Sequence, residues 1–186
     1  MKTDTKIVLL EKEIQRLKKL VYLDSLTNVY NRRGFLAIAN NHFKSITHGK
    51  KKRRHNEISD LAVIFLDIDN FKNINDRYGH NRGDKILKGL AQLLKNSLRS
   101  NDIIGRWGGE EFVILLVNIS RLNAKHLAEK LRAKIFTTKI SNLFITTSLG
   151  LAFANHDKTL MQIINKADKL MYQAKKLGKN KVIYFK

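Results

Sequence analysis

Cysteine is absent from the 186 residues, which excludes disulfides, cysteine-ligated zinc and thiol nucleophiles. Proline is absent too, so helix ends must be read from capping residues and glycines. No apolar run approaches the roughly 18 residues of a transmembrane helix; Leu61 to Leu66, as long as any, has the length of a strand. The start of the chain lacks a secretory pattern, because the run Ile7 to Leu10 is short and Glu11 and Glu13 follow at once. A cytoplasmic protein is expected. Several site signatures are also missing: G-x-x-x-x-G-K-[ST], a G-x-G-x-x-G opening a helix, H-E-x-x-H and G-x-S-x-G. A nucleotide bound here uses neither a P-loop nor a Rossmann turn.

Acids are scarce against bases. Thirty-six Lys and Arg face 16 Asp and Glu, a formal net charge of +20. That excess suits a nucleotide, a nucleic acid or an anionic membrane surface, and equally a well-solvated surface. Lys50 to Arg54 places five cations in a row. The run reads as a solvated loop, with contact to nucleic acid or weak contact to an anionic lipid surface as its functional alternatives. No nucleic-acid-binding motif accompanies it, so no nucleic-acid partner is expected.

Hydrophobic residues make up 43% of the chain, enough for one core. From Lys6 to Val21, Ile7, Leu10, Ile14, Leu17 and Val21 recur by threes and fours. This divides the chain into an amphipathic N-terminal helix, 1–23, and a domain, 24–186. The helix serves either as a dimer stalk or as an element packed on its own domain. Asp24 to Asn31 reads as a loop, and Arg32 to Ile46 as a helix. Leu61 to Asp69 is a buried strand, and Gly83 to Leu98 a helix. Asp102 to Trp107 and Glu111 to Val117 are strands joined at Gly108-Gly109, a tight-turn signal. Leu122 to Thr137 is helical, Leu143 to Ala154 a strand, and Val182 to Phe185 a last strand. Between these two strands lies a helix that Asp157 can cap and Gly178 stops. The pattern predicts an α/β (α+β) fold: a mixed, mostly antiparallel central sheet of about five strands, with helices packed around it.

Two acidic clusters stand out. Period-two alternation points Asp67 and Asp69 to one face at the end of the most hydrophobic strand. Buried acids there need compensation, from a cation or from the start of the next helix. Glu110-Glu111 follows the Gly-Gly turn, and alternation sends the two side chains apart. Two acidic clusters at strand edges make a divalent-metal phosphoryl site more credible than either cluster alone.

These residues resemble a known family. Arg106-Trp-Gly108-Gly109-Glu110-Glu111-Phe112 is similar to the GG[DE]EF motif of GGDEF-domain diguanylate cyclases. Asp24-Ser-Leu-Thr-Asn-Val-Tyr-Asn31-Arg32-Arg33 resembles the family's D-x-L-T-[GN]-[LV]-x-N-R-R. The run Asp67-Ile-Asp-Asn-Phe71-Lys72-Asn-Ile-Asn75 through Gly79-His80 to Gly83-Asp84 resembles D-[IVL]-D-x-F-K-x-[IV]-N-D-x-[YF]-G-H-x-x-G-D. Thr147-Ser148-Leu-Gly150 and Ala167 to Asn180 match later blocks.

The resemblance implies a nucleotidyl-cyclase palm fold. It also implies condensation of two GTP into cyclic di-GMP with release of two pyrophosphates. Asp67 and Glu110 would ligate Mg²⁺ or Mn²⁺, two per site, with the Ile68 carbonyl assisting. Glu111 would join a second metal or help deprotonate the attacking 3′-hydroxyl. Phe71, Lys72 and the backbone of Gly108 and Gly109 would contact the triphosphate, and Lys175 and Lys179 would reach it as well. Asn75 and Asp84 would read guanine, with His80 beside them; an aspartate accepts from guanine N1–H and N2–H₂ together, a pair adenine lacks. Arg99 and Asp102 match the family's inhibitory R-x-x-D site for the product. Two GTP sites must face each other, which implies a homodimer. The family usually has Arg where Lys179 stands, and Lys loses the bidentate fork. A non-catalytic receptor for GTP or cyclic di-GMP, acting through a protein partner, is the alternative reading.

Overall fold

The computed structural model describes residues 6–8, 13, 16, 20–48, 61–155 and 159–185. A six-stranded sheet in the order β1-β3-β4-β2-β5-β6 forms its centre. The strands are β1 (Tyr30–Asn31), β2 (Leu61–Ile68), β3 (Ile103–Gly108), β4 (Glu111–Val117), β5 (Thr147–Phe153) and β6 (Val182–Tyr184). β2 lies between β4 and β5 and runs antiparallel to both. β3 and β4 form an antiparallel hairpin, while β1 joins β3 and β6 joins β5 in parallel. The mixed, mostly antiparallel sheet expected from sequence is present, with the two-residue β1 as an additional edge strand.

All residues of β2 are buried, and alternation sorts them into two cores. Ala62, Ile64, Leu66 and Ile68 face one layer, with α3 (His80–Lys95) and α4 (Arg121–Thr137). Leu61, Val63 and Phe65 face the other, with α1 (Arg32–His48) and α5 (Leu160–Lys176). Each large apolar side chain so buried contributes roughly 1.5–3 kcal/mol. Asp67 continues the second series, so a carboxylate enters the α1/α5 layer at the strand's end.

β5 fixes where α5 runs. A Cβ on Gly150 would collide with the Ala167 carbonyl and the Met171 amide, so helix and strand backbones touch there. Thr159 caps α5: its side chain accepts from the Gln162 amide, and Gln162 reaches back to the cap. Asp157, the residue expected to cap it, lies outside the described residues. The helix ends at Leu177, and Gly178 follows with φ +106°.

Other differences have local causes. A short helix, α2 (Phe71–Tyr78), precedes α3, and Gly79 with φ +79° separates them. Eight polar-rich residues leave little periodicity to read. α3 starts at His80 rather than Gly83 and ends at Lys95 rather than Leu98. β5 starts at Thr147 rather than Leu143, because Ile140 and Leu143 close a separate small turn through Ser141 and Asn142 at positive φ. The described residues at 6–8, 13, 16 and 20–22 are helical, and Ile7, Leu20 and Val21 are exposed. Leu10, Ile14 and Leu17 of the seam, and the basic run Lys50 to Arg54, lie outside the described residues. Among the described residues no helix is long and apolar enough to cross a membrane.

Candidate active site

The sheet register puts the key acids together. Asp67 on β2 pairs directly with Glu111 on β4 and with Ser148 on β5, so these side chains share one face. Asp67 is only 3% exposed. Its Oδ2 accepts from Lys175 Nζ at 2.7 Å. Its Oδ1 is buried and has no hydrogen-bond partner among the described residues. Burial pushes the Asp67 carboxyl up, Lys175 pulls it back, and the charges of Glu110 and Glu111 push it up again, to about 6. Glu111 is also raised, by burial and then by Asp168 and Glu110, against the lowering pull of Lys175 and Arg32.

The hairpin separates the two glutamates, as alternation predicts. Gly108 still belongs to β3 and sits opposite Glu111, with a bulge between Arg106 and Gly108. Only Gly109 of the pair takes a positive φ, +23°, so the turn itself is Gly109-Glu110. Glu111 stays with Asp67, whereas Glu110 lines a cavity of about 390 Å³. Phe71, Lys72, Asn75, His80, Asp84 and Gly109 line the same cavity, joined by Asp76, Leu87 and Arg106. Its size suits a small ligand. Asn75 Oδ1 is buried without a partner among the described residues. The absence of a Cβ at Gly83 makes room for it, since a Cβ there would strike that oxygen.

Asp69 is different. It accepts from Thr146 Oγ1 at 2.7 Å, Ser148 Oγ at 2.6 Å and the Asn180 amide at 3.0 Å. Its oxygens are occupied by the protein itself. Lys179 Nζ donates to Asn70 Oδ1 at 2.6 Å, so Lys175 and Lys179 both stand over the segment leaving β2.

A divalent cation fits here. No three His, Asp or Glu side chains converge as a ready-made metal cage among the described residues. Mg²⁺ seldom uses one; it takes one or two carboxylates and completes its shell with phosphates and water. The orphaned Asp67 Oδ1, with Glu111 opposite in register and the charge of Glu110 within reach, offers that partial set. Ile68 follows Asp67 with its side chain in the opposite core.

The family described as "Diguanylate cyclase, GGDEF domain" matches residues 21–181. The chain belongs to this GGDEF family. Diguanylate cyclase DgcM of Escherichia coli strain K12 is 34% identical over 170 residues, covering 91% of this chain and 40% of that protein. The chain spans under half the length of the curated relatives it matches. Among solved structures, the active GGEEF domain of a diguanylate cyclase from Vibrio cholerae has a TM-score of 0.74 at 32% identity. That alignment covers 84% of this chain and 97% of that one. The coiled coil and GGDEF domain of DgcB from Caulobacter crescentus, solved with c-di-GMP, has a TM-score of 0.86. It covers 99% of this chain and 96% of that one, and at 21% identity it is a likeness of fold.

Within this GGDEF domain, Arg99 and Asp102 lie before β3, at the end away from the hairpin. Asp102 Oδ2 accepts from the Arg99 amide at 3.0 Å, a local turn that leaves the Arg99 side chain exposed. The GGDEF hairpin is held by Arg106, the first residue of its motif block, to which the sequence assigns no role. Arg106 Nε donates to the Gly109 carbonyl at 2.9 Å, and its Nη1 reaches both oxygens of Asp24 at 3.1 and 3.2 Å. Burial raises the Asp24 carboxyl, but the Thr27 donors and Arg106 outweigh it and hold it below the usual range. Asn31 completes the brace. It caps α1 through the Gly34 amide and donates to the carbonyls of Val21 and Leu23. Arg106 is legible as part of its motif, but its partner lies 82 residues earlier, a distance no local pattern spans.

Proposed function

We propose that this chain is a diguanylate cyclase, condensing two GTP into cyclic di-GMP and two pyrophosphates across a homodimer. The observation that carries it is Asp67: a buried carboxylate with an orphaned oxygen, paired in register with Glu111 and within reach of the charge of Glu110, which lines the cavity. The divalent cation, Mg²⁺ or Mn²⁺ and two per site, would neutralise phosphate charge and favour attack at the α-phosphorus.

The chain's own residues supply the rest. Asp67 and Glu110 hold the cation, with the Ile68 carbonyl assisting. Glu111, its proton affinity already raised, accepts the proton of the attacking 3′-hydroxyl as that oxygen bonds the partner GTP's α-phosphorus. The bond from that phosphorus to pyrophosphate breaks. A positioned base of this kind contributes roughly 10²–10⁴-fold. Gly109, without a Cβ, lets backbone approach phosphate, next to Gly108. Phe71, Lys72, Lys175 and Lys179 hold the triphosphate, and Asn75, His80 and Asp84 receive guanine in the cavity.

Two sites must meet, because each nucleotide attacks the other. Residues 1–23 serve as a dimer stalk in this reading, and the exposure of Ile7, Leu20 and Val21 supports that. A stalk raises the local concentration of one site near the other. Arg99 and Asp102 form the inhibitory product site, and the protein works in the cytoplasm. Lys50 to Arg54 makes at most a weak contact with anionic surfaces.

The deciding experiment incubates purified protein with GTP and Mg²⁺ and separates products by chromatography. Cyclic di-GMP absent from wild type and from an Asp67→Asn control alike would overturn the proposal. Tight GTP or cyclic di-GMP binding without turnover would indicate the receptor alternative.

A further inference from the structure

Lys175 sits on the acid that the proposed function assigns to a divalent cation. Its Nζ is 2.7 Å from Asp67 Oδ2, and that carboxylate is almost closed to water. Two cations on one buried carboxylate repel strongly, because a low dielectric magnifies the charge interaction. Lys175 also has a way out. Its side chain is 31% exposed, it stands in the last turn of α5, and its stem is flexible. An ammonium leaving Asp67 turns either to water or to a new anion, and the carboxylates whose charges reach Asp67, Glu110 and Glu111, are the ones the proposed function gives to the cation. A polyphosphate is the anion that fits.

We propose that Lys175 is an exchangeable counter-cation for Asp67. It keeps the carboxylate paired until a divalent cation and a nucleoside triphosphate arrive together, then passes to the phosphates. Neither partner binds well alone. A cation without triphosphate strands the ammonium beside a like charge. A triphosphate without cation meets three carboxylates, with Lys175 still engaged. The two affinities are therefore coupled, and coupling is reciprocal. The inference rests on the metal–GTP reading above and adds the coupling to it.

The test measures Mn²⁺ binding to the full chain by electron paramagnetic resonance. It also measures binding of a non-hydrolysable GTP analogue with and without Mn²⁺. The proteins are wild type, Lys175→Met, Lys175→Gln and Lys175→Arg. The two neutral variants should take up Mn²⁺ alone at least about tenfold more tightly than wild type, and Lys175→Arg should stay near wild type. The gain in analogue affinity on adding Mn²⁺ should shrink in the neutral variants by a similar factor. Gln keeps a hydrogen bond to Asp67, so it serves where Met does not fold. Neutral variants that bind Mn²⁺ no more tightly than wild type, while wild type binds cation and analogue together, overturn the exchange alone. Equal analogue affinity with and without Mn²⁺ in wild type overturns it whatever the variants do. Wild type that takes up neither ligand removes the proposed function and the exchange together.

Discussion

Asp67 and Asp69 stand two residues apart on the same segment, both almost fully buried, and their surroundings differ completely. Asp69 accepts three hydrogen bonds from Thr146, Ser148 and Asn180. It ties the end of β2 to β5 and to the turn after α5. Asp67 has one ion pair, one oxygen without a partner among the described residues, and two like charges nearby. The fold saturates one acid and leaves one oxygen of its neighbour without a donor among the described residues. Burial alone does not separate a structural acid from a chemical one; the count of donors does.

The largest expected effect tests Asp67. Asp67→Asn should lower cyclic di-GMP production by about 10³-fold or more, since it removes charge where the proposed function places the cation. The same change should stabilise the fold at neutral pH. The folded carboxyl is raised from 3.8 to about 6. Its protonated form therefore supports folding fully below about pH 4, and that support is lost as pH rises through 6. Asn escapes this loss, and Lys175, partly exposed, turns to water. In chelator and without nucleotide, the variant's advantage should be near zero at pH 4 and reach on the order of 3 kcal/mol above pH 7. Denaturant melts across that range measure it. A wild type more stable than the variant at pH 7.5 would break the contrast drawn above.

Asp69→Ala should do the opposite. Three donors lose a charged acceptor, so stability should fall by about 4 kcal/mol at pH 7. Any loss of product should then follow the folded fraction rather than the turnover of folded molecules. Asp69→Asn, which keeps one acceptor oxygen, should lose about half as much. Thermal unfolding beside single-turnover product formation separates the two effects.

Much of this was legible before any coordinate. The hydrophobic run of β2 and the apolar stripe of α5 specify elements, because burial and periodicity are local signals, and the Gly-Gly pair marks the hairpin although its turn is Gly109-Glu110. Alternation also predicted that Glu110 and Glu111 part, whereas Asp69, expected to continue the alternation of Asp67, lies in the turn beyond β2. The difference between the two aspartates was not legible. Asp69's partners come from positions 146, 148 and 180, and only the folded sheet brings them together. α2 escaped for another reason: it is one short polar helix whose order comes from burying Phe71. The Asp24–Arg106 brace is likewise a tertiary fact, joining the first loop to the hairpin.

That brace gives an intermediate effect. Arg106→Ala frees the Gly109 carbonyl and leaves Asp24 with its Thr27 donors alone. The turn carrying Glu110 then loses its tether. Misplacing a reacting group by about 1 Å can cost roughly 10²-fold, so turnover should fall by about 10- to 100-fold. The ion pair is partly exposed, which limits the accompanying stability loss to roughly 1 kcal/mol. Steady-state kinetics should place the loss in kcat more than in KM. A change confined to KM would mean that the brace serves binding and not geometry.

The smallest expected effect concerns the cavity. Asp84 lies on the first turns of α3, exposed to solvent yet facing the cavity shared with Asn75. A carboxylate there accepts from guanine N1–H and N2–H₂ together. Asp84→Asn replaces one acceptor with a donor, which opposes a guanine N–H and suits the unprotonated adenine N1. The preference should therefore narrow from both sides, with GTP weakened and ATP strengthened. Because the residue is solvated, each change should be modest, and the ratio of GTP to ATP affinity should fall by about tenfold, or roughly 1.4 kcal/mol. Competition of each nucleotide against a fluorescent GTP analogue reads that ratio directly. An unchanged ratio would move base selection off Asp84 and onto Asn75, whose Oδ1 is the buried oxygen without a partner among the described residues.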